Sequence, residues 1–221
     1  MALQRRVEEL RRLLLPHKFD PTGSYVQAER VRAKALAFRV LAHAELESYF
    51  EDRVVEIAKV ALREWKARAY VSRVTLHLLG FSGRDMALPP DTLEPPTENK
   101  AKTWSEAIDI AKRLEASVAD FVYRTTKHNH GIKEKNVIQM LLPVGFPRDR
   151  MDQLLLTALE QFGDDRGLVA HSSGATYVTQ SVDPSDEYGR LQNLIRDLHP
   201  IDAELNGLLT SAAMPAAPAQ G

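Results

Sequence analysis

Residues 27–68 read QAERVRAKALAFRVLAHAELESYFEDRVVEIAKVALREWKAR. The stretch contains neither glycine nor proline, and it is rich in alanine, leucine, glutamate, arginine and lysine, which favour helices. We therefore predict one very long helix here, or two helices joined at a kink. Because no series of alternating strands accumulates elsewhere in the chain, the sequence predicts an all-α fold.

Apolar residues at helical spacing predict further helices on both sides of this stretch. Near the N-terminus, Leu3, Val7, Leu10 and Leu14 indicate a short amphipathic helix that Pro16 ends. Residues 70–79 mix β-branched and aromatic side chains, so strand and helix compete there, and we favour continuation of the long helix. Later helices are expected at 103–128, which starts with a Thr103–Glu106 capping box, at 133–142, and between Asp149 as cap and Gly163 as end. Asp183 and Pro184 open a further helix over 185–198, and Pro200 separates it from a turn or two within 201–209.

The predicted helices group into one domain with two appendages. Residues 1–23 are expected to form an N-terminal amphipathic arm, 24–210 a helical domain, and 211–221 a disordered tail of small residues and proline. Glycine and proline cluster at 80–102, which a helix cannot cross, so this part of the domain is predicted to be a proline-rich loop excursion.

Composition excludes several classes of protein and site. Lys and Arg number 29 against 30 Asp and Glu, a net charge of −1, which argues against a strongly basic protein that coats nucleic acid. The absence of cysteine excludes disulfides, thiolate catalysis and cysteine-based metal sites. No apolar run reaches membrane-spanning length and no phosphate-binding or dinucleotide-binding glycine motif occurs. We expect a soluble cytoplasmic protein without a cofactor or metal, and without membrane partners.

Arg166 and His171 form the first candidate group, at a predicted helix junction. Arginine matches phosphate oxygens and histidine transfers protons near neutral pH, so the pair could act on a phosphodiester without a metal. The alternative is a structural helix start in which Arg166 pairs with Asp165. Five steps along a helix also separate the two positions by roughly 140°, so they converge only at an irregular start or with help from a second chain.

The second group is Arg39, His43 and Glu47, spaced four apart on the long helix. This polar ladder could orient a catalytic histidine or bind substrate, but a satisfied network of salt bridges between helices is favoured.

The third group is His128, His130 and Lys133, near Arg124. Histidines two positions apart do not share a helix face, which weakens a metal site, and a structural corner between two helices is favoured. A modest phosphate-contact patch that includes Lys127, Lys133 and Lys135 is the alternative.

Three stretches resemble one bacterial family. Residues 166–171, RGLVAH, match the signature of an arginine, four to six residues, and a histidine; residues 39–49, RVLAHAELESY, and 129–136, NHGIKEKN, followed by LLPVG at 141–145, look like its internal blocks. Taken together in their order along the chain, these stretches resemble the HEPN superfamily, in particular the RiboL-PSP-HEPN group. The resemblance covers roughly residues 28–209.

The resemblance implies a helical bundle with long antiparallel helices and short accessory helices, which dimerises so that two motifs share one cleft. Many members are metal-independent endoribonucleases, often toxins or phage-defence effectors with an antitoxin or another partner protein. His171 would then assist proton transfer and Arg166 would stabilise the phosphorane, so that 2′-hydroxyl attack leaves a cyclic phosphate end. His43, Glu47, His130, Lys133, Ser172 and Ser173 become candidate substrate contacts.

Gly167 departs from the family pattern, because active members commonly carry Asn, Asp or His after the arginine. A catalytically inactive dimerising module that binds a protein partner or a nucleotide is therefore the rival hypothesis. A helical scaffold in which Arg166 pairs with Asp164 or Asp165 is the third.

Overall fold

The computed structural model describes residues 2–83, 90, 92–94, 97–98, 105–106, 108–171 and 182–213, without the side chains of 168–171. The predicted all-α class is confirmed, since these residues contain helices and no strand. The helices are α1 (Ala2–Leu14), α2 (Ala28–Arg68), α3 (Arg73–Gly80), α4 (Ile110–Tyr123), α5 (Glu134–Leu141), α6 (Gln153–His171), α7 (Pro184–Asp197) and α8 (His199–Ala213). A π-helical turn, Arg124–His128, follows α4, and short 3₁₀ turns occupy Leu142–Val144 and Arg148–Arg150.

The described residues fall into two compact units. The first comprises the described parts of Met1–Phe50, His130–Val137 and Met151–Asp202, and the second those of Glu51–Asn129, Ile138–Arg150 and Ala203–Gly221. In the first unit the core includes Leu3, Val7, Leu36, Phe38, Leu46, Phe50, Leu159, Phe162, Leu191 and Ile195. In the second it includes Val54, Ile57, Val74, Leu78, Leu114, Val118, Met140, Phe146, Leu205 and Leu208.

The long helix predicted at 27–68 is confirmed as a single element, α2. Its predicted continuation over 70–79 is wrong, although that stretch is largely helical. Ala69 adopts a φ of 53°, in the left-handed region that ends many helices, and its N–H donates to Trp65 O over 2.7 Å. A new helix, α3, then starts behind Ser72, whose hydroxyl accepts the Thr75 N–H.

Two helix boundaries around the candidate motif were also predicted incorrectly. The helix expected to end at Gly163 continues to His171, because a glycine inside a helix costs only about 1 kcal/mol and Phe162 beside it is buried. Asp149 lies in a 3₁₀ turn instead of capping this helix. The carboxylate of Asp152 accepts the Leu154 N–H over 2.8 Å at the helix start.

Asp183 caps α7 as expected, accepting the Ser185 N–H over 2.7 Å. α8 extends to Ala213, into the segment predicted to be a tail, and Pro200 lies in its first turn, where proline is tolerated. Thr103 of the expected capping box lies outside the described residues, as do 214–221 and most of 84–104; the described α4 begins at Ile110 behind Asp109.

Candidate functional site

Helix α6 carries the arginine and histidine of the candidate motif. Because the helix runs through Gly163 to His171, the two positions lie on one continuous element instead of at a junction. At the helical period they are separated by roughly 140° around the axis. The side chain of His171, and Ser172 and Ser173 as a whole, lie outside the described residues.

Arg166 does not pair with either of the aspartates beside it. Asp164 pairs with Lys133, and Asp165 pairs with Arg190 of α7. Arg166 is itself half-buried, and its buried Nε has no hydrogen-bond partner among the residues that the structure describes. Among the described residues, the pairing with Asp164 or Asp165 that the scaffold hypothesis required is therefore not formed.

Arg39 forms the salt bridge between helices that the polar ladder suggested. Its Nε and Nη2 donate to the two carboxylate oxygens of Glu187 over 2.7 and 2.6 Å, and both side chains are buried. The hydrogen bonds to Glu187 raise the pKa of Arg39 further, so the guanidinium is permanently charged. This pair joins α2 to α7 within the first unit.

His43, one turn further along α2, is buried but lacks such a partner. It is 2% exposed and its ring stacks on Phe162, with centroids 6.3 Å apart and planes at 14°. Within the described residues its Nδ1 has no hydrogen bond, since the Glu47 carboxylate oxygen at 3.8 Å is too far to accept one. Burial and the positive charge of Arg166 lower the pKa of His43 to about 4. The imidazole is therefore neutral at pH 7.

Two glycines lie close to the other edge of this imidazole. A Cβ on Gly131 would lie 3.8 Å from His43 Cε1 and Nε2, and one on Gly163 would lie 3.8 Å from Nε2. Gly131 has a φ of +153°, which other residues rarely adopt. The loop before α5 and the middle of α6 thus approach His43 closely.

Lys133 reaches the same part of α6. It pairs with Asp164 and lies 3.9 Å from Glu160, and the hydrogen bond to Asp164 raises the pKa of Lys133. His130, by contrast, is exposed on the loop before α5. Of the predicted side chains, the structure thus gathers His43, Lys133 and Arg166 around the middle of α6, with Glu47 one turn beyond His43.

Three residues of this site were not predicted from the sequence. Phe162, Glu187 and Arg190 were not singled out as candidate site residues. Glu187 lies 148 positions from Arg39, so no local spacing signals their contact. The acidic first turn of α7 was the one visible hint, because buried arginines need carboxylates.

No group of three or more His, Asp or Glu side chains suited to a metal ion occurs in the described part of the chain. Within the same residues, no helix is both long enough and apolar enough to cross a membrane. Comparison with known proteins finds no matching family model, no matching curated protein and no matching solved structure.

Proposed function

We propose that the protein is a metal-independent endoribonuclease of HEPN type, in which Arg166 and His171 form the catalytic pair. The observation that carries the proposal is the state of Arg166. Its guanidinium is half-buried with an unpartnered Nε, while both adjacent aspartates pair with other cations. A fixed cation without a carboxylate partner among the described residues is suited to bind a phosphate.

The surroundings of Arg166 support the same chemistry. Because the His43 imidazole is neutral, it does not repel the Arg166 guanidinium. Its buried Nδ1 is an additional polar atom in the same region. Asp165 is held by Arg190, whose guanidinium also lies 5.2 Å from the centroid of the Phe162 ring. These contacts fix α6 immediately before Arg166, so the guanidinium is positioned before a substrate arrives.

In the proposed reaction the 2′-oxygen of RNA attacks the adjacent phosphorus and the bond to the 5′-oxygen breaks. His171 transfers the proton that the 2′-hydroxyl loses or that the leaving oxygen gains, and Arg166 stabilises the charge on the phosphorane. The products are a 2′,3′-cyclic phosphate and a 5′-hydroxyl. DNA lacks the nucleophile, so it is not cleaved.

A homodimer completes the site in this proposal. Because Arg166 and His171 lie roughly 140° apart on α6, Arg166 of one chain acts with His171 of a second copy. The biological role that follows from the family resemblance is that of a toxin or phage-defence effector, held inactive by an antitoxin or a defence-system partner protein.

The test is cleavage of a labelled total-RNA pool in EDTA. We expect Arg166→Ala and His171→Ala each to lower the rate by roughly a hundredfold or more. Arg196→Ala and His17→Ala, which remove exposed side chains of the same types, should cleave like wild type. As a control, light scattering should show the same oligomeric state for all variants. Cleavage that survives both motif variants would refute the proposal.

Mixing the two inactive variants tests the shared site. If each site combines Arg166 of one chain with His171 of the other, a mixed dimer contains one intact site. Random exchange of chains should then restore up to about a quarter of wild-type activity. No recovery after demonstrated exchange would place both residues of each site on one chain.

A second candidate function is an inactive dimerising module that binds a protein partner or a nucleotide. Gly167 favours it, because no described atom outside the local helix lies within 4 Å of where its Cβ would stand. The position that is commonly polar in active members is thus open here. If dimeric wild type cleaves no RNA while Gly167→Asn does, the module is an inactive relative of such enzymes.

A further inference from the structure

The π-helical turn Arg124–His128 brings two exposed aromatic rings together. In a π-helix the hydrogen bonds join residues five apart, so Tyr123 and His128 lie side by side, whereas in an α-helix they would lie on different faces. Their ring centroids are 5.0 Å apart and the planes are inclined at 69°. Tyr123 is 58% exposed, so much of its surface remains open to solvent.

The same turn presents two positive charges. Arg124 and Lys127 are exposed, and no salt bridge within the described part of the chain engages either side chain. An aromatic surface beside cations is the combination with which single-stranded nucleic acids are bound, since bases stack on rings and phosphates contact the cations.

Side-chain contacts hold the turn in place. Thr125 is buried on its inner side, and the exposed Thr126 Oγ1 donates to Val122 O over 2.9 Å. Just beyond the turn, Asn129 Nδ2 donates to Glu51 Oε1 of α2 over 2.8 Å. The uncommon backbone is thus anchored on one side while Tyr123 and His128 are displayed on the other. Short π-helical segments of this kind occur often at functional sites.

We infer that Tyr123, Arg124, Lys127 and His128 form a binding surface for single-stranded RNA, on which Tyr123 stacks a base and the cations contact phosphates. The surface lies in the second unit and uses no residue of the proposed catalytic site. It deepens the proposed function, on which the choice of RNA rests, by adding a substrate contact that is not made by the catalytic residues. An acidic protein segment could use the cations but would have less need of an open aromatic face.

Binding of a fluorescein-labelled oligouridylate tests the inference, measured by anisotropy with the full chain carrying His171→Ala, which prevents cleavage and leaves Arg166 in place. We expect Tyr123→Ala to weaken binding roughly five- to a hundredfold, and Tyr123→Phe, which keeps the ring, to bind as before. His128→Ala is a second variant with the same expected direction. Circular dichroism shows whether each variant retains its helices.

The charged residues are tested by the dependence of affinity on salt. Changing Arg124 and Lys127 to glutamine should reduce the slope of log K against log salt by about 1.4, as expected for two lost contacts to a single strand. The matched control changes Arg148 and Arg150, exposed arginines of the same unit, to glutamine. This control should leave the slope of log K against log salt unchanged.

Several outcomes would overturn the inference. Absence of binding by the His171→Ala protein is one. Equal RNA affinity of Tyr123→Ala and its parent is another. If the variant with glutamine at 124 and 127 then binds RNA more weakly, the turn binds anions through its charges alone and the ring has no part in it. Binding of an acidic peptide that matches RNA affinity and ignores Tyr123 would instead assign the surface to a protein partner. None of these results depends on whether Arg166 and His171 catalyse cleavage, so the two proposals fail separately.

Discussion

Glu187 holds Arg39 by two buried hydrogen bonds of 2.6 and 2.7 Å, although 148 residues separate the two in the chain. The contact joins α7 to the N-terminal third of α2, one helical turn before His43. Each charge is removed from water and depends on the other, because a buried ion without its partner is strongly unfavourable. The pair therefore controls whether α2 and α7 pack together.

Loss of Glu187 should destabilise the first unit severely. Glu187→Ala leaves the Arg39 guanidinium buried and unpaired, which we expect to lower the free energy of unfolding by about 3–5 kcal/mol. Urea denaturation measures the change. Asp197→Ala, which breaks the exposed pair with Arg196, should cost less than about 1 kcal/mol. Equal effects of the two substitutions would contradict the role given to the buried pair.

His43 should make the protein less stable in mild acid. Its pKa is about 4 in the folded chain against an ordinary value of 6.5, so the unfolded chain binds the proton more tightly. The stabilising effect of the neutral imidazole is fully present above pH 6.5 and is lost as pH falls toward 4. The loss approaches about 3 kcal/mol at its limit.

The measurement compares the unfolding free energies of wild type and His43→Leu at pH 7 and pH 4.5. Wild type should lose more stability than the variant over this interval, while the exposed His17→Ala protein should follow wild type. Parallel behaviour of wild type and His43→Leu would show that His43 titrates normally.

Two glycines of α6 should respond oppositely to alanine. At Gly167 the added Cβ meets no described atom within 4 Å, so Gly167→Ala should stabilise the helix by about 0.5–1 kcal/mol. At Gly163 the Cβ would lie 3.1 Å from Lys133 Cγ, so Gly163→Ala should gain less or destabilise. Thermal unfolding of both variants decides the point, and a larger gain at Gly163 would count against the described packing.

Tyr188 should ionise later than an ordinary tyrosine. Burial, followed by its hydrogen bond to Glu8, raises the pKa of Tyr188 to about 12. An ultraviolet titration of phenolate formation should therefore contain a step near pH 12, provided that the protein stays folded. Tyr188→Phe should remove this step. Because the pKa of Tyr188 is higher in the folded chain, the hydrogen bond between Tyr188 of α7 and Glu8 of α1 stabilises the fold below pH 10. This stabilisation is lost as the pH rises from 10 through 12.

The sequence predicted helices well where local signals agreed. α2 was recognised because its long run lacks glycine and proline, and α7 because Asp183 and Pro184 form a standard helix start. The sequence did not predict the end of α2 because Ala69 adopts the left-handed conformation that usually marks a helix end with a glycine. Gly163 misled in the opposite way, since tertiary packing outweighs its low propensity.

The sequence identified candidate side chains but not how they are arranged. Arg166, His43 and Lys133 were chosen for their chemistry, and the structure brings them together on the middle of α6. Which carboxylate takes which cation depends on contacts between distant segments, as between Lys133 and Asp164 or Arg190 and Asp165. No periodicity encodes those choices. The π-helical turn was likewise invisible, because its residues also fit an ordinary helix end.

The division of the chain into interleaved segments constrains how the protein is made. Each unit draws on three separate stretches, and the first is complete only once Asp202 is present, the second only with α8, which ends at Ala213. The ribosome must therefore synthesise the chain through Asp202 before the first core can close, and through α8 before the second can. Until then the apolar faces of α2 stay uncovered, so a prematurely terminated chain exposes them to aggregation and to chaperones.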